Sequence, residues 1–342
     1  FRVRYARLPT ADEKASFQAG INSAAGMPAE MVGHLNAFPK DAPPMATLSS
    51  LISVLAAHNT DDLGVAVEGE SFTRPLYTIM AQVLELAAGQ YRVNLGKTPN
   101  TYNPELSYAA NFMHLMFSEP GQPYEVLPAV EKAMDLFLIL HADHEQNCST
   151  STVRIVGSSQ SNLFSSVSAG VGALWGPLHG GANCEVIKML NSIHNDGIAP
   201  SDFVAQAKDK TSGVKLMGFG HRVYKNFDPR AKVLKVQVDN VLEALNIDDP
   251  LMGIAKELEE MARSDSYFVD RNLYPNVDFY SGILLKALNI PIDMFTVLFA
   301  IGRIPGWIAN YRELHVQGQR IGRPRQIYTG AALRDYTDIS AR

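Results

Sequence analysis

Between residues 123 and 141 apolar side chains return at helical spacing. Val126, Val130, Met134, Phe137 and Leu138 fall on one face, and Glu131, Lys132 and Asp135 on another. This period is the strongest constraint on what the chain can fold into, because it suits a core-packed helix and nothing else of that length. The alternating pattern of a half-buried strand is sustained nowhere, and the β-branched residues are scattered among helix formers. Helical spacing or helix-forming composition recurs over residues 10–38, 48–58, 72–89, 107–117, 165–175, 187–193, 231–245 and 251–263. Pro39, Pro43, Pro44 and the polar segment at 97–104 mark breaks between them. The expected fold is all-α. The richest apolar run, residues 294–308, meets Arg303 and Pro305 before it reaches membrane-spanning length, so it reads as a buried helix.

A chain of 342 residues predicts about two domains and a substantial core. The net charge of -5 provides no broad field for nucleic acid or an anionic membrane, so anion recognition has to be local. Two cysteines, Cys148 and Cys184, exclude a disulfide framework and fit a reducing compartment, and they are too few for a structural zinc site. No internal repeat or low-complexity tract stands out.

The densest chemistry lies at residues 216–230, LMGFGHRVYKNFDPR. Gly218 and Gly220 permit a tight turn and close approach of backbone to a ligand, and His221 follows at once. Arg222, Lys225 and Arg230 offer fixed charge to carboxylate or phosphate, and Asp228-Pro229 stops local helix and orients Arg230. Taken alone, the stretch reads equally well as a surface turn with solvated cations. Three other readings compete near it. His141, His144 and Glu145 suggest a metal site, since histidines one turn apart share a helix side, but no third ligand has convincing spacing. Cys148 and Cys184 sit beside histidine motifs, yet neither lies in a nucleophile motif. Gly218-x-Gly220 lacks the third glycine and the preceding strand of a dinucleotide fingerprint. His34, His58, His114, His194 and His315 have no motif around them. Asp278 follows a Pro-Asn turn amid Val277, Phe279 and Tyr280, a setting that desolvates a carboxylate or uses it as a helix cap.

Four further stretches change the odds: HADHEQN at 141–147, WGPLHGGAN at 175–183, PNVDFYSG at 275–282 and RPR at 323–325. Together with GFGHRVYK they resemble the citrate synthase family nearly end to end, in that family's order and at comparable spacing, most of all its bacterial branch. The resemblance implies a large helical domain, residues 1–193 and 294–342, interrupted by a smaller helical one at about 194–293, with the active cleft between them. It implies condensation of acetyl-CoA with oxaloacetate and thioester hydrolysis to citrate and CoA, with no cofactor and no metal. Asp278 would be the base, His179 the donor to the thioester oxygen, and His221 the donor to the ketone of the acceptor. His144, Arg230, Arg303 and Arg323 would hold the acceptor's carboxylates, Arg323 across the interface of a homodimer or higher homo-oligomer. Leu216, Gly218, Gly220 and Lys225 would contact CoA. No nucleic-acid or membrane partner is expected, and the location would be cytoplasmic. The family usually begins with a further N-terminal segment, and this chain opens on Phe1, so a truncated gene product is expected. Two alternatives stay open: a 2-methylcitrate synthase using propionyl-CoA, and a catalytically silent helical binding protein. Every chemical residue of the family pattern is present, which argues against the silent protein.

Overall fold

The structure, a computed structural model, describes residues 7–221, 224 and 227–342. Its regular elements are helices: α1 (Ala11–Ala24), α2 (Ala29–Ala37), α3 (Pro44–His58), α4 (Glu70–Asn94), α5 (Tyr108–Phe117), α6 (Pro128–His141), α7 (Cys148–Gly157), α8 (Leu163–Trp175), α9 (Ala182–Asn195), α10 (Pro200–Lys208), α11 (Pro229–Ala244), α12 (Pro250–Ser264), α13 (Ser266–Val269), α14 (Val277–Ala287) and α15 (Phe295–Val316). The β pairing among the described residues is one isolated antiparallel bridge, Phe219 with Pro275. The all-α expectation therefore holds, with two local differences. Residues 10–38 form two helices instead of one periodic segment, because the chain turns extended at Ala25 and again at Pro28. The apolar run is not broken at Arg303 or Pro305 but continues as helix to Val316.

The second difference has an energetic cause. A proline inside a helix costs about 3 kcal/mol, whereas each large apolar side chain removed from water contributes roughly 1.5–3 kcal/mol. Helix α15 buries Phe295, Leu298, Ile304, Trp307, Ile308 and Tyr311, so packing outweighs the lost hydrogen bond several times over. The span Ile292–Val316 is long and apolar enough to cross a membrane, but 78% of its most apolar window is buried in protein. It packs against α4, α6, α7 and α8 and forms the spine of the core. Gly306 lets it press on the end of α6: a Cβ there would lie 2.0 Å from the Ala142 carbonyl oxygen. That close approach brings Arg303 beneath His141, whose carbonyl accepts from Nε of Arg303 at 2.5 Å.

The helices that flank the site pack as two groups. Helix α11 lies on α6 and α14, while α12 lies on α9 and α10. Helix α14 packs on both α9 and α11, so the segment beginning at Val277 is fixed from two sides.

Candidate active site

Four helices begin at one cleft of about 600 Å³. Asn147 is the N-cap of α7, Ala182 opens α9, Arg230 lies in the first turn of α11, and Val277 and Asp278 open α14; all of them line it. Helix N-termini present unsatisfied N–H groups and partial positive charge, so this convergence favours an anionic ligand despite the acidic chain. Local sequence explains three of these starts. Asn147 accepts from the Thr150 N–H, Asp228 from the Arg230 N–H, and Asn276 from the N–H groups of Asp278 and Phe279.

His179 lies between α8 and α9. Its Nε2 accepts the Ser149 N–H at 3.2 Å and lies 2.9 Å from the Ser149 hydroxyl. That hydroxyl donates to Asn147 Oδ1 and accepts the indole N–H of buried Trp307. The hydrogen bonds assign the Nε2 lone pair to Ser149 and leave the proton on Nδ1. Burial, reinforced by the Arg303 charge, lowers the imidazole's pKa, so the ring is neutral near pH 7.

His221 is placed by the short bridge to the chain before α14. Gly220 N–H donates to the Tyr274 carbonyl, Asn276 N–H to the Gly218 carbonyl, and the Asn276 side chain to the Gly220 carbonyl. Gly218 is required there, because its φ is +80° and a Cβ would lie 2.9 Å from that of Phe279. The turn thus uses these glycine backbone groups inside the protein. The Tyr224 N–H donates to Nδ1 of His221, which assigns the proton to Nε2, and Nη2 of Arg230 lies 3.4 Å from that nitrogen. Two donors converge on one point, where a ligand oxygen can accept from both. Burial, and after it the Arg230 charge, lowers the His221 pKa.

Asp278 does not cap α14; Asn276 does, which leaves the Asp278 carboxylate available to the cleft. Burial raises its pKa from the usual 3.8 to about 6, with Arg230 pulling it down and Asp228 pushing it up. His144 and His141 part company: α6 ends at His141, and His144 stands beyond the helix. His141 gives its Nδ1 proton to the Phe137 carbonyl, lies against Phe137 and Phe299, and is held neutral by burial, its pKa about 3. The His144 ring instead lies 5.4 Å from that of His221. Arg303 is 1% exposed, and burial lowers its pKa to about 10. Nη1 of Arg303 and Nε2 of both His141 and His144 have no partner among the described residues. The Arg303 nitrogen is a charged donor and matches a carboxylate-bearing ligand, whereas Nε2 of neutral His141, whose proton is on Nδ1, carries a lone pair and can only accept.

The structure therefore brings together His144, His179, His221, Arg230, Asp278 and Arg303, with Gly220 on the same wall. Arg323 does not line the cleft and lies in the exposed segment 317–342. Leu216 and Gly218 stand outside it as well. Lys225 and Arg222 lie outside the described residues. Among the described residues no group of three His, Cys, Asp or Glu side chains is arranged to hold a metal ion. Sequence reasoning missed Ser149 and Trp307, which orient His179, and Asn276, which caps α14. Only the Pro-Asn turn gave any signal, and that for Asn276.

The sequence model described as "Citrate synthase, C-terminal domain" matches residues 3–325. Citrate synthase 1 of Mycobacterium tuberculosis is 50% identical over 339 residues, 99% of this chain and 78% of that protein. The citrate synthase of Corynebacterium glutamicum is 49% identical over 325 residues, 94% of this chain and 74% of that protein. Among solved structures, citrate synthase from Pyrobaculum aerophilum superposes with a TM-score of 0.88 at 34% identity, covering 100% of this chain and 84% of that one. The Thermoplasma acidophilum citrate synthase, in ternary complex with carboxymethyl coenzyme A and oxaloacetate, gives 0.85 at 28% identity, covering 100% and 87%.

Proposed function

The chain belongs to the citrate synthase family, and we propose that the cleft carries the family's condensation with His179, His221 and Asp278 as its chemical residues. The activity is that of a citrate synthase, an assignment carried by 50% identity across 99% of the chain. Acetyl-CoA and oxaloacetate are its substrates, and citrate and CoA its products.

The methyl protons of a thioester are very weakly acidic, so a carboxylate removes one only while the developing enolate oxygen is stabilised. Asp278 takes the proton, and the Nδ1–H of neutral His179 donates to the thioester oxygen. The enol carbon then attacks the ketone carbon of oxaloacetate, whose oxygen accepts from Nε2–H of His221 as it gains negative charge. Water finally cleaves the C–S bond of the citryl thioester and CoA leaves as the thiol. Arg230, Arg303 and His144 hold the acceptor's carboxylates, with Arg323 reaching in from a second copy of the chain. Leu216, Gly218, Gly220 and Lys225 contact CoA. The observation that carries this reading is one cleft holding a carboxylate with a pKa of about 6 beside two neutral imidazoles whose protons are assigned by backbone N–H groups.

Residues 194–293 act as a smaller domain that closes on the rest, excluding water until condensation is complete. Two unpaired cysteines, Cys148 and Cys184, fit a reducing cytoplasm. Acetyl-CoA is preferred to propionyl-CoA. A pocket discriminates one methylene by only about 1–3 kcal/mol, so the deciding experiment is steady-state CoA release with the two thioesters in parallel. A higher kcat/KM for propionyl-CoA would make the enzyme a 2-methylcitrate synthase instead.

A further inference from the structure

The carboxylate of Asp228 is 2% exposed and serves more groups than a helix cap requires. Oδ1 accepts the Arg230 backbone N–H at 3.0 Å and Nε at 3.1 Å. Oδ2 accepts Nη2 of Arg230 at 3.0 Å and, from 49 residues further along the chain, the Val277 N–H at 3.1 Å. The first contact alone would cap α11, and serine or asparagine would supply it. The other three join the Arg230 side chain to the first N–H of α14, one residue before Asp278. Asn276 takes the next two N–H groups of that helix, so its N-terminal turn is shared between its own cap and a side chain of α11. Burial pushes the Asp228 pKa up, but the hydrogen bonds and charge of Arg230 and the N–H of Val277 outweigh it, and the group stays ionised.

We propose that Asp228 is a positioning residue that locks the guanidinium of Arg230 and the N-terminus of the helix bearing Asp278 into one unit, so that acceptor binding and base placement depend on a single buried carboxylate. The proposal rests on the reading of Arg230 as an oxaloacetate ligand and Asp278 as the base. Its chemistry is specific to a carboxylate. An amide at 228 can still cap α11 through its oxygen, but its NH2 group then faces Nη2 of Arg230 and the Val277 N–H, donors against donors. The charge matters as well. Asp278 faces Asp228 and Arg230 from α11, Arg303 from α15, and the imidazoles of His144, His179 and His221. Of these, Arg230 and Asp228 act on it in opposite senses. Removing the Asp228 charge leaves Arg230 unopposed and makes Asp278 easier to ionise.

The test compares Asp228→Asn and Asp228→Ser with the parent enzyme by melting temperature, steady-state kinetics and pH profile. Both variants are expected to raise the KM for oxaloacetate and lower kcat, each by roughly tenfold or more, with the KM for acetyl-CoA little changed. The acid limb of the pH profile is expected to move to lower pH, which a merely structural loss would not do. Folded variants with unchanged oxaloacetate KM and unchanged acid limb overturn the proposal. So does failure of both variants to fold, which would assign Asp228 to structure alone. Arg230→Ala and Asp278→Asn run in parallel separate the two levels. If these retain normal KM and turnover, the reading of the cleft has failed and the proposal falls with it. If they are impaired while the Asp228 variants are not, only the proposal fails.

Discussion

The cleft turns on a carboxylate that burial has made reluctant to ionise. With its pKa raised to about 6, Asp278 is charged at neutral pH yet basic enough to accept a proton, and the acid limb of kcat/KM should fall near that value. Replacing it with asparagine should lower turnover by roughly 10²–10⁴-fold with little loss of oxaloacetate affinity; near-normal turnover would remove it from the mechanism. The same shift makes a prediction about stability. Below the unfolded value of 3.8 both states are protonated and Asp278 costs nothing. As pH rises from there to about 6 the unfolded chain loses a proton that the native state retains, stability falls, and above pH 6 the penalty is complete. Asp278→Asn should therefore melt higher than the parent at pH 8, by up to roughly 3 kcal/mol, with the gain gone at pH 4. His179, His221 and Asp278, which line one cleft, were singled out in the sequence through the family resemblance of the glycine-, proline- and aromatic-rich runs they sit in, since each run taken alone also reads as an ordinary turn or cap. Ser149 was not, since it meets His179 from 30 residues away and Trp307 from 158, and only packing brings those segments together.

At the scale of elements, hydrophobic period located most helices but not their ends, because the ends are set by caps. Asn147, Asp228 and Asn276 each stop a loop and start a helix at the cleft, and a capping side chain leaves little trace in periodicity. Helix α15 was the opposite case. Arg303 and Pro305 read as interruptions, yet the helix runs through both because most of its length is buried. Its register against α6 rests on Gly306, so Gly306→Ala should force the two apart. Overpacking of this kind costs typically 1–3 kcal/mol, or about that and more where the obstacle is backbone. The shift should also weaken oxaloacetate binding, since Arg303 lies one turn away and its Nε is held by the His141 carbonyl. Melting temperature and oxaloacetate KM measured on one preparation check both parts; normal values for the two would show that α15 has room to adjust.

For the whole molecule, closure and assembly follow from where the charged side chains of the cleft and the exposed C-terminal segment lie. Oxaloacetate bound between Arg230 and Arg303 would draw α11 toward α15, so added oxaloacetate should slow hydrogen exchange across residues 194–293; unchanged exchange there would sink domain closure. Assembly is argued from the other end of the chain. Residues 317–342 are exposed throughout, and Ile327, Tyr328, Leu333 and Tyr336 are each at least 80% exposed. Large apolar side chains so little packed suit an arm that lies on a second copy. Arg323 stands in that arm and away from its own cleft, so we expect it to complete the partner's site. Arg323→Ala and Asp278→Asn should then each be nearly inactive as homodimers. In a mixed dimer the chain with intact Asp278 receives an intact Arg323 from its partner, whereas the other site lacks both. Unfolding and refolding the two variants together should therefore restore one working site per heterodimer. If heterodimers form and no activity returns, Arg323 acts within its own chain or not at all.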